Sequence, residues 1–320
     1  MKSCISKMRE LINKPILNSL LSQDHKKWNL MCGSLDAIES SQSAVDSYIG
    51  LNKDNLGYIG PQLIIYGLFQ ALYVQQDSVS NLCESMDMAF LLKIDDINTQ
   101  HPKLYEIRQL RNKSIGHPTP SSKDKKTKKI KSTHGMLIDN DSVELFSYTE
   151  TGEFSHAKYK ISDCIEKQSR LLSGILQKVI EKMRSMEKEH KDKYMQNKLR
   201  ECFPNDPQYC FEKIFQGILH IDRRSLALSH SEDLIKAIDR FEEEITKRGL
   251  QNDDNDMVVV RIEIEHSKYP LEKLKEYFCP RPKSSLNWQD ARAYADSARE
   301  HILDLIKHAE NLDSAYMSTA

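Results

Sequence analysis

Glycine and proline are scarce in this chain, with 11 and 10 among 320 residues. They are the main punctuation of a polypeptide: Gly supplies left-handed turns and Pro ends helices. A chain with so few breaks cannot build the many short strands of an all-β sandwich, so long helices are the expected frame. Charged residues are 29% and hydrophobic residues 39% of the total, which suits helices with one solvated face around a core. At about 100–200 residues per domain, the length divides into two domains.

The pattern along the chain agrees. Residues 2–21 read as one or two short helices, with Pro15 opening the second. In residues 26–49, Trp28, Met31, Leu35, Ile38, Val45 and Ile49 recur mostly at three and four, as on a helix face. Residues 62–76 are apolar nearly all round, the mark of a central helix, and Asp77 is placed to cap a following one. Pro102 opens a helix carrying Leu104, Ile107 and Leu110, which Gly116 and Pro118 end.

Three β-type runs follow, at 136–138, 143–148 and 154–159, separated by Asp-Asn-Asp and Thr-Gly; they predict a small hairpin or meander insert spanning about 134–160. A long helix is expected over 161–199. Cys202 to Pro207 reads as a boundary, giving a domain at 1–200 and a helical carboxyl-terminal domain at 201–320. Within the latter, helices are expected near 232–247, 270–278 and 284–317, while the period of 257–264 fits a strand or a helix start.

Formal net charge is -1, so no global field draws the chain to nucleic acid or an anionic membrane. Any nucleic-acid contact must come from a local patch. No apolar run reaches the roughly 18 residues that span a bilayer, and no leader-like apolar segment is present. The seven cysteines include no Cys-x-x-Cys, the usage of reduced thiols rather than of a disulfide frame or a zinc site. A cytoplasmic protein without a membrane partner is expected.

Arg111-Asn-Lys-Ser-Ile-Gly-His117 is the stretch that carries chemistry. Six residues of unbroken helix leave His117 roughly 120° from Arg111. Gly116 and Pro118 permit a break that swings the imidazole back over the last turn, beside the guanidinium and the Asn112 amide. A guanidinium binds phosphate bidentately and stabilises the extra charge of its transition state, and an imidazole moves a proton near neutral pH. Together they suit cleavage of RNA without a metal or cofactor. The alternative is a surface arginine and a capping histidine.

Arg-Asn followed by His after a short gap, at the end of a helix, resembles the HEPN superfamily (higher eukaryotes and prokaryotes nucleotide-binding). The words Leu110-Arg-Asn-Lys and Ile115-Gly-His-Pro, and the helix Tyr66-Gly-Leu-Phe-Gln-Ala-Leu-Tyr-Val-Gln-Gln-Asp77, are also similar to HEPN members. The resemblance covers about residues 1–199. It implies a mainly α helical bundle that forms a homodimer, with the two motifs meeting in one cleft. It also implies metal-independent endoribonuclease activity in toxin–antitoxin or abortive-infection defence, with an antitoxin or regulatory protein as a further partner. By the same resemblance Arg111 and His117 are catalytic and Asn112 supports them. Some members are non-catalytic binding modules, which is the alternative reading. Thr119 stands where one subgroup has a tyrosine, so modification there is not implied.

Arg108, Lys113, Lys125, Lys126, Lys128 and Lys129 are candidate RNA-phosphate contacts, the lysines from 125 onward belonging to a run of six in 123–131. No aromatic interleaves this run to stack bases. His220, Asp222, Arg223, Arg224, His230 and Asp233 cluster in sequence without a His-x-x-x-His spacing, and are read as polar helix ends rather than metal ligands.

Overall fold

Helices dominate the computed structural model, which describes residues 1–51, 60–116, 122–123, 130–139, 141–149, 152–250, 255–279 and 284–317. Contacts divide the chain into two units, residues 1–11 with 24–183 and residues 12–23 with 184–320. Cys202 to Pro207, read from sequence as a boundary, lie inside the second unit.

In the first unit, α1 (Lys2–Ile12) contributes its first ten residues, and α3 (His25–Ile49) starts where Asp24 accepts hydrogen bonds from the Lys26 and Lys27 amides. α3 packs on α4 (Gly60–Ser85). The break expected at Asp77 is absent: α4 runs through it as one helix. Neither Gly nor Pro lies between Gln70 and Ser85 to stop it, and the Asp77 carboxylate takes a partner in the next layer instead of a cap. A short α5 (Ile97–Gln100) leads to α6 (Pro102–Arg111), whose Leu104, Ile107 and Leu110 are buried.

The expected meander is present. Strand β1 (Ser122–Lys123) pairs with the edge of β2 (Ile130–Asp139), and β2, β3 (Ser142–Thr149) and β4 (Phe154–Lys160) form an antiparallel sheet in sequence order. Val143 and Leu145 point into the core with Phe69, Leu72, Ile107, Leu110 and Ile161, and Met136, Ile138 and Tyr159 pack against the same cluster.

The first two-thirds of α7 (Ile161–Tyr194), up to Met183, belong to the first unit. Its buried stripe of Ile161, Ile165, Leu172, Val179 and Met183 is interrupted by Gln168, which is fully buried. The interruption is satisfied by a chain of glutamines. Gln76 Nε2 donates to Gln168 Oε1 at 2.7 Å and to the Leu104 carbonyl at 3.1 Å. Gln168 Nε2 donates to the Leu72 carbonyl at 2.8 Å and to Gln75 Oε1 at 3.0 Å, and Gln75 Nε2 donates to Gln42 Oε1 at 3.2 Å. Side chains from α3, α4 and α7 and a carbonyl of α6 are thereby tied in one register.

In the second unit α8 (Pro207–Leu219) packs on α9 (Arg224–Lys247), α9 on α10 (Asn255–Phe278), α10 on α11 (Trp288–Met317) and α11 back on α8, closing a four-helix bundle. α2 (Pro15–Ser22) adds Ile16 to this core. Buried positions repeat at alternating fours and threes: Ala227, Ser231, Leu234, Ile238, Phe241 and Ile245 in α9, and Ala291, Ala295, Ala298, Ile302, Leu305 and Ala309 in α11. α10 is a single helix with Pro270 inside it, not a helix begun by Pro270. Its buried Met257, Val260, Ile264, Ser267, Leu271 and Leu274 keep the same beat across the proline, so core burial outweighs the lost hydrogen bond.

Candidate active site

The site begins with a stripe on α4. Gln70, Tyr73 and Asp77 follow one another at three and four residues, so they share the face turned to α6. From α6, Arg108 and Arg111 reach the same ring: their guanidinium carbons lie 3.7 and 4.6 Å from the Tyr73 centroid. Such stacking holds a guanidinium plane in place.

The two arginines then part company. Arg108 Nη1 lies 2.8 Å from Asp77 Oδ1, an ion pair by proximity, and its side chain is only 11% exposed. Its charge is met by protein, so it is a holding residue rather than an open phosphate contact. Arg111 is half-buried. Its Nε and Nη2 donate to Gln70 Oε1 at 3.2 and 3.0 Å, and its Nη1 donates to Asn112 Oδ1 at 3.2 Å. Among the described residues no carboxylate pairs with Arg111. The guanidinium is thus positioned by neutral amides and a ring.

Beyond Arg111 the helix widens into one π-helical turn, Asn112–Gly116. Wide turns of this kind accompany functional sites because they re-aim the side chains around them. Ser114 is buried in the turn, its hydroxyl donating to the Arg111 carbonyl at 3.3 Å. Lys113 stands half-exposed beside β2. There the His134 imidazole is held below its ordinary pKa, first by burial and then by the Lys113 charge. His134 Nδ1 and Ser147 Oγ share a 2.7 Å hydrogen bond. His117, Lys125, Lys126, Lys128 and Lys129 lie outside the described residues, so Arg111 and Asn112 are the members of the motif whose placement is known.

Comparison of the chain with family models, curated proteins and solved structures finds no match.

Sequence reasoning missed Gln70, Tyr73 and Asp77 as the support of the arginines. Their signal was available, since a polar stripe within an apolar helix has to face something. It also missed a polar pocket of about 390 Å³ on the adjoining face of α6, lined by Lys103, Glu106, Lys160, Asp163, Cys164 and Lys167 among others. Burial pushes the Cys164 thiol up to about 11 there, so it is protonated at neutral pH and is no nucleophile. Among the described residues no group of three or more His, Cys, Asp or Glu side chains is placed to hold a metal ion, and no helix is long and apolar enough to cross a membrane.

Proposed function

We propose that this chain is a metal-independent endoribonuclease of HEPN type, working as a homodimer in a defence or toxin–antitoxin setting. Arg111 is the observation that carries the reading: a cation fixed by Tyr73, Gln70 and Asn112, without a carboxylate partner among the described residues, at the root of the turn that leads to His117. In this proposal the RNA 2′-oxygen attacks the adjacent phosphorus while His117 takes the hydroxyl proton. The bond from phosphorus to the 5′-oxygen breaks, leaving a 2′,3′-cyclic phosphate. The departing oxygen takes a proton from water or from the second histidine of the dimer. Arg111 steadies the charge on the pentavalent phosphate.

One contact favours the second reading, a non-catalytic dimer that binds a nucleotide or RNA or scaffolds a partner. The Nε–Nη2 edge of Arg111, the edge best shaped for a phosphate, is occupied by the Gln70 amide. A substrate must displace it. Incubation of wild-type, Arg111→Ala and His117→Ala proteins with total RNA in EDTA separates the two. The enzyme reading expects cleavage by the wild type alone, with cyclic phosphate ends. RNA left intact by a folded, dimeric wild type overturns it in favour of the binding module.

A further inference from the structure

The sheet has a second face. Strand alternation places Val143, Leu145 and Tyr159 toward the helices, and so places Glu144, Phe146 and Tyr148 of β3 and Phe154, His156 and Lys158 of β4 on the opposite side. An antiparallel sheet packed on one side ordinarily presents small polar residues on the other. This one presents rings. Tyr148 and Phe154 are 52% and 56% exposed, and Leu137 on β2 is 61% exposed.

The rings form a continuous ladder. Phe146 lies flat against His156, with centroids 4.9 Å apart and planes 19° apart. It also stacks on Phe154 at 6.0 Å, and Phe154 meets Tyr148 at 5.2 Å. Space is left beside the ladder. Gly135 is the β2 partner of Phe146 in the register, and a Cβ built on it meets nothing within 4 Å. The Phe146 ring is therefore flanked by an open slot where any other residue would stand.

We propose that this outward face of β2–β4 is a binding platform for single-stranded RNA, whose unstacked bases lie on Phe146, Tyr148 and Phe154. Every base has a π-face, so an aromatic ladder takes single strands with little regard to sequence, while a duplex keeps its bases buried. Charge complementarity favours RNA over a second copy of the chain. On β3 and β4 the rings are interleaved with ionic groups: Lys158 and Lys160 are exposed along β4, and Glu144 is already engaged by Lys158 at 2.9 Å and His156 at 3.2 Å. A self-complementary protein interface would bury these like charges against each other. The platform lies on the far side of the sheet from the α4–α6 layer that supports Arg111, and binding there needs no cleavage.

The test is fluorescence anisotropy of the full-length chain with a labelled 2′-O-methyl RNA strand, which lacks the hydroxyl that cleavage by 2′-oxygen attack requires. Wild type is expected to bind the single strand at least tenfold more tightly than the same strand in a duplex. Tyr148→Ala and Phe154→Ala should each weaken single-strand binding about tenfold, with Phe154→Trp retaining it. Circular dichroism and protection of the Cys164 thiol report that each variant is folded. Equal affinity for duplex and single strand overturns the proposal, as do folded ring variants that bind like wild type. Ring variants that change the oligomeric state by light scattering but not RNA affinity overturn it in favour of a protein partner. The binding result stands apart from RNA cleavage in EDTA, so either reading can fail alone.

Discussion

Replacing Gln168 with methionine keeps the side-chain length but removes every polar atom from the middle of the glutamine chain. Three hydrogen bonds disappear, of 2.7, 2.8 and 3.0 Å. Two of the abandoned partners keep other bonds: Gln76 Nε2 still donates to Leu104, and the Leu72 carbonyl keeps its place in the α4 ladder. Gln75 Oε1 is left buried without its donor. Two lost bonds at about 0.5–1.5 kcal/mol each and one orphaned polar atom at about 1–3 kcal/mol mean that Gln168→Met should destabilise the first unit by about 2–6 kcal/mol.

Cysteines make this measurable unit by unit. Cys83 and Cys164 are buried in the first unit, and Cys202 and Cys210 in the second. Thiol labelling across a urea series, read by mass spectrometry of each cysteine peptide, follows each unit by its own probe. A loss below about 1 kcal/mol at Cys83 and Cys164 would refute the reasoning. It would mean that the glutamines exchange partners freely and that the register of α4, α6 and α7 is set by apolar packing alone.

Two further outcomes follow from single contacts. Gln70→Glu places a carboxylate on the Arg111 edge that a phosphate must use; RNA cleavage should fall about 10- to 100-fold from the charge-assisted bond now to be displaced, and single-turnover cleavage unchanged by Gln70→Glu would remove Arg111 from the reaction. In the second unit, burial works to raise the Glu187 carboxyl, but hydrogen bonds and charge from Lys191 and Lys14 overcome it and hold the group below its ordinary value. A depressed carboxylate stabilises the fold above its unfolded pKa, and that share is lost as pH falls through the folded pKa. Glu187→Gln should cost about 1–3 kcal/mol at neutral pH and flatten the acid limb of Cys210 protection; an acid limb identical to wild type would show that another group sets it.

The frame of long helices was legible because its signals are local. Pro15 and Pro102 mark helix starts in the sequence, and each starts a helix in the structure. β3 and β4 were legible to within a residue, whereas β2 starts six residues before the run read at 136–138 and β1 was not read. Asp77 was misread because a carboxylate at the end of an apolar run looks like a cap until its partner is known, and Arg108 lies 31 positions further on. Residues 257–264 were left open between strand and helix start because the clustered Val258, Val259 and Val260 hide the three-and-four beat that only burial isolates, and Pro270 was misread as a helix start.

At the candidate site, Arg111 and Asn112 were found by motif. The neutral support beneath them was not, because Gln70 and Tyr73 acquire meaning only when α4 and α6 are side by side. The aromatic face was missed for a related reason: strands read one at a time show no ladder, since its rungs come from β3 and β4 in alternation.

The insertion of residues 12–23 into the second unit has a consequence for synthesis. α2 leaves the ribosome early, yet Ile16 belongs to a core completed by Leu250, Met257, Leu305 and Tyr316. At about 5–20 residues per second, α2 waits roughly 15–60 s for the last of those neighbours to be made. During that interval the first unit can close around the gap while the apolar side of α2 stays bare. A chain stalled after the first unit therefore carries a sticky segment near its start, and a chaperone that shields short apolar helices would find it there.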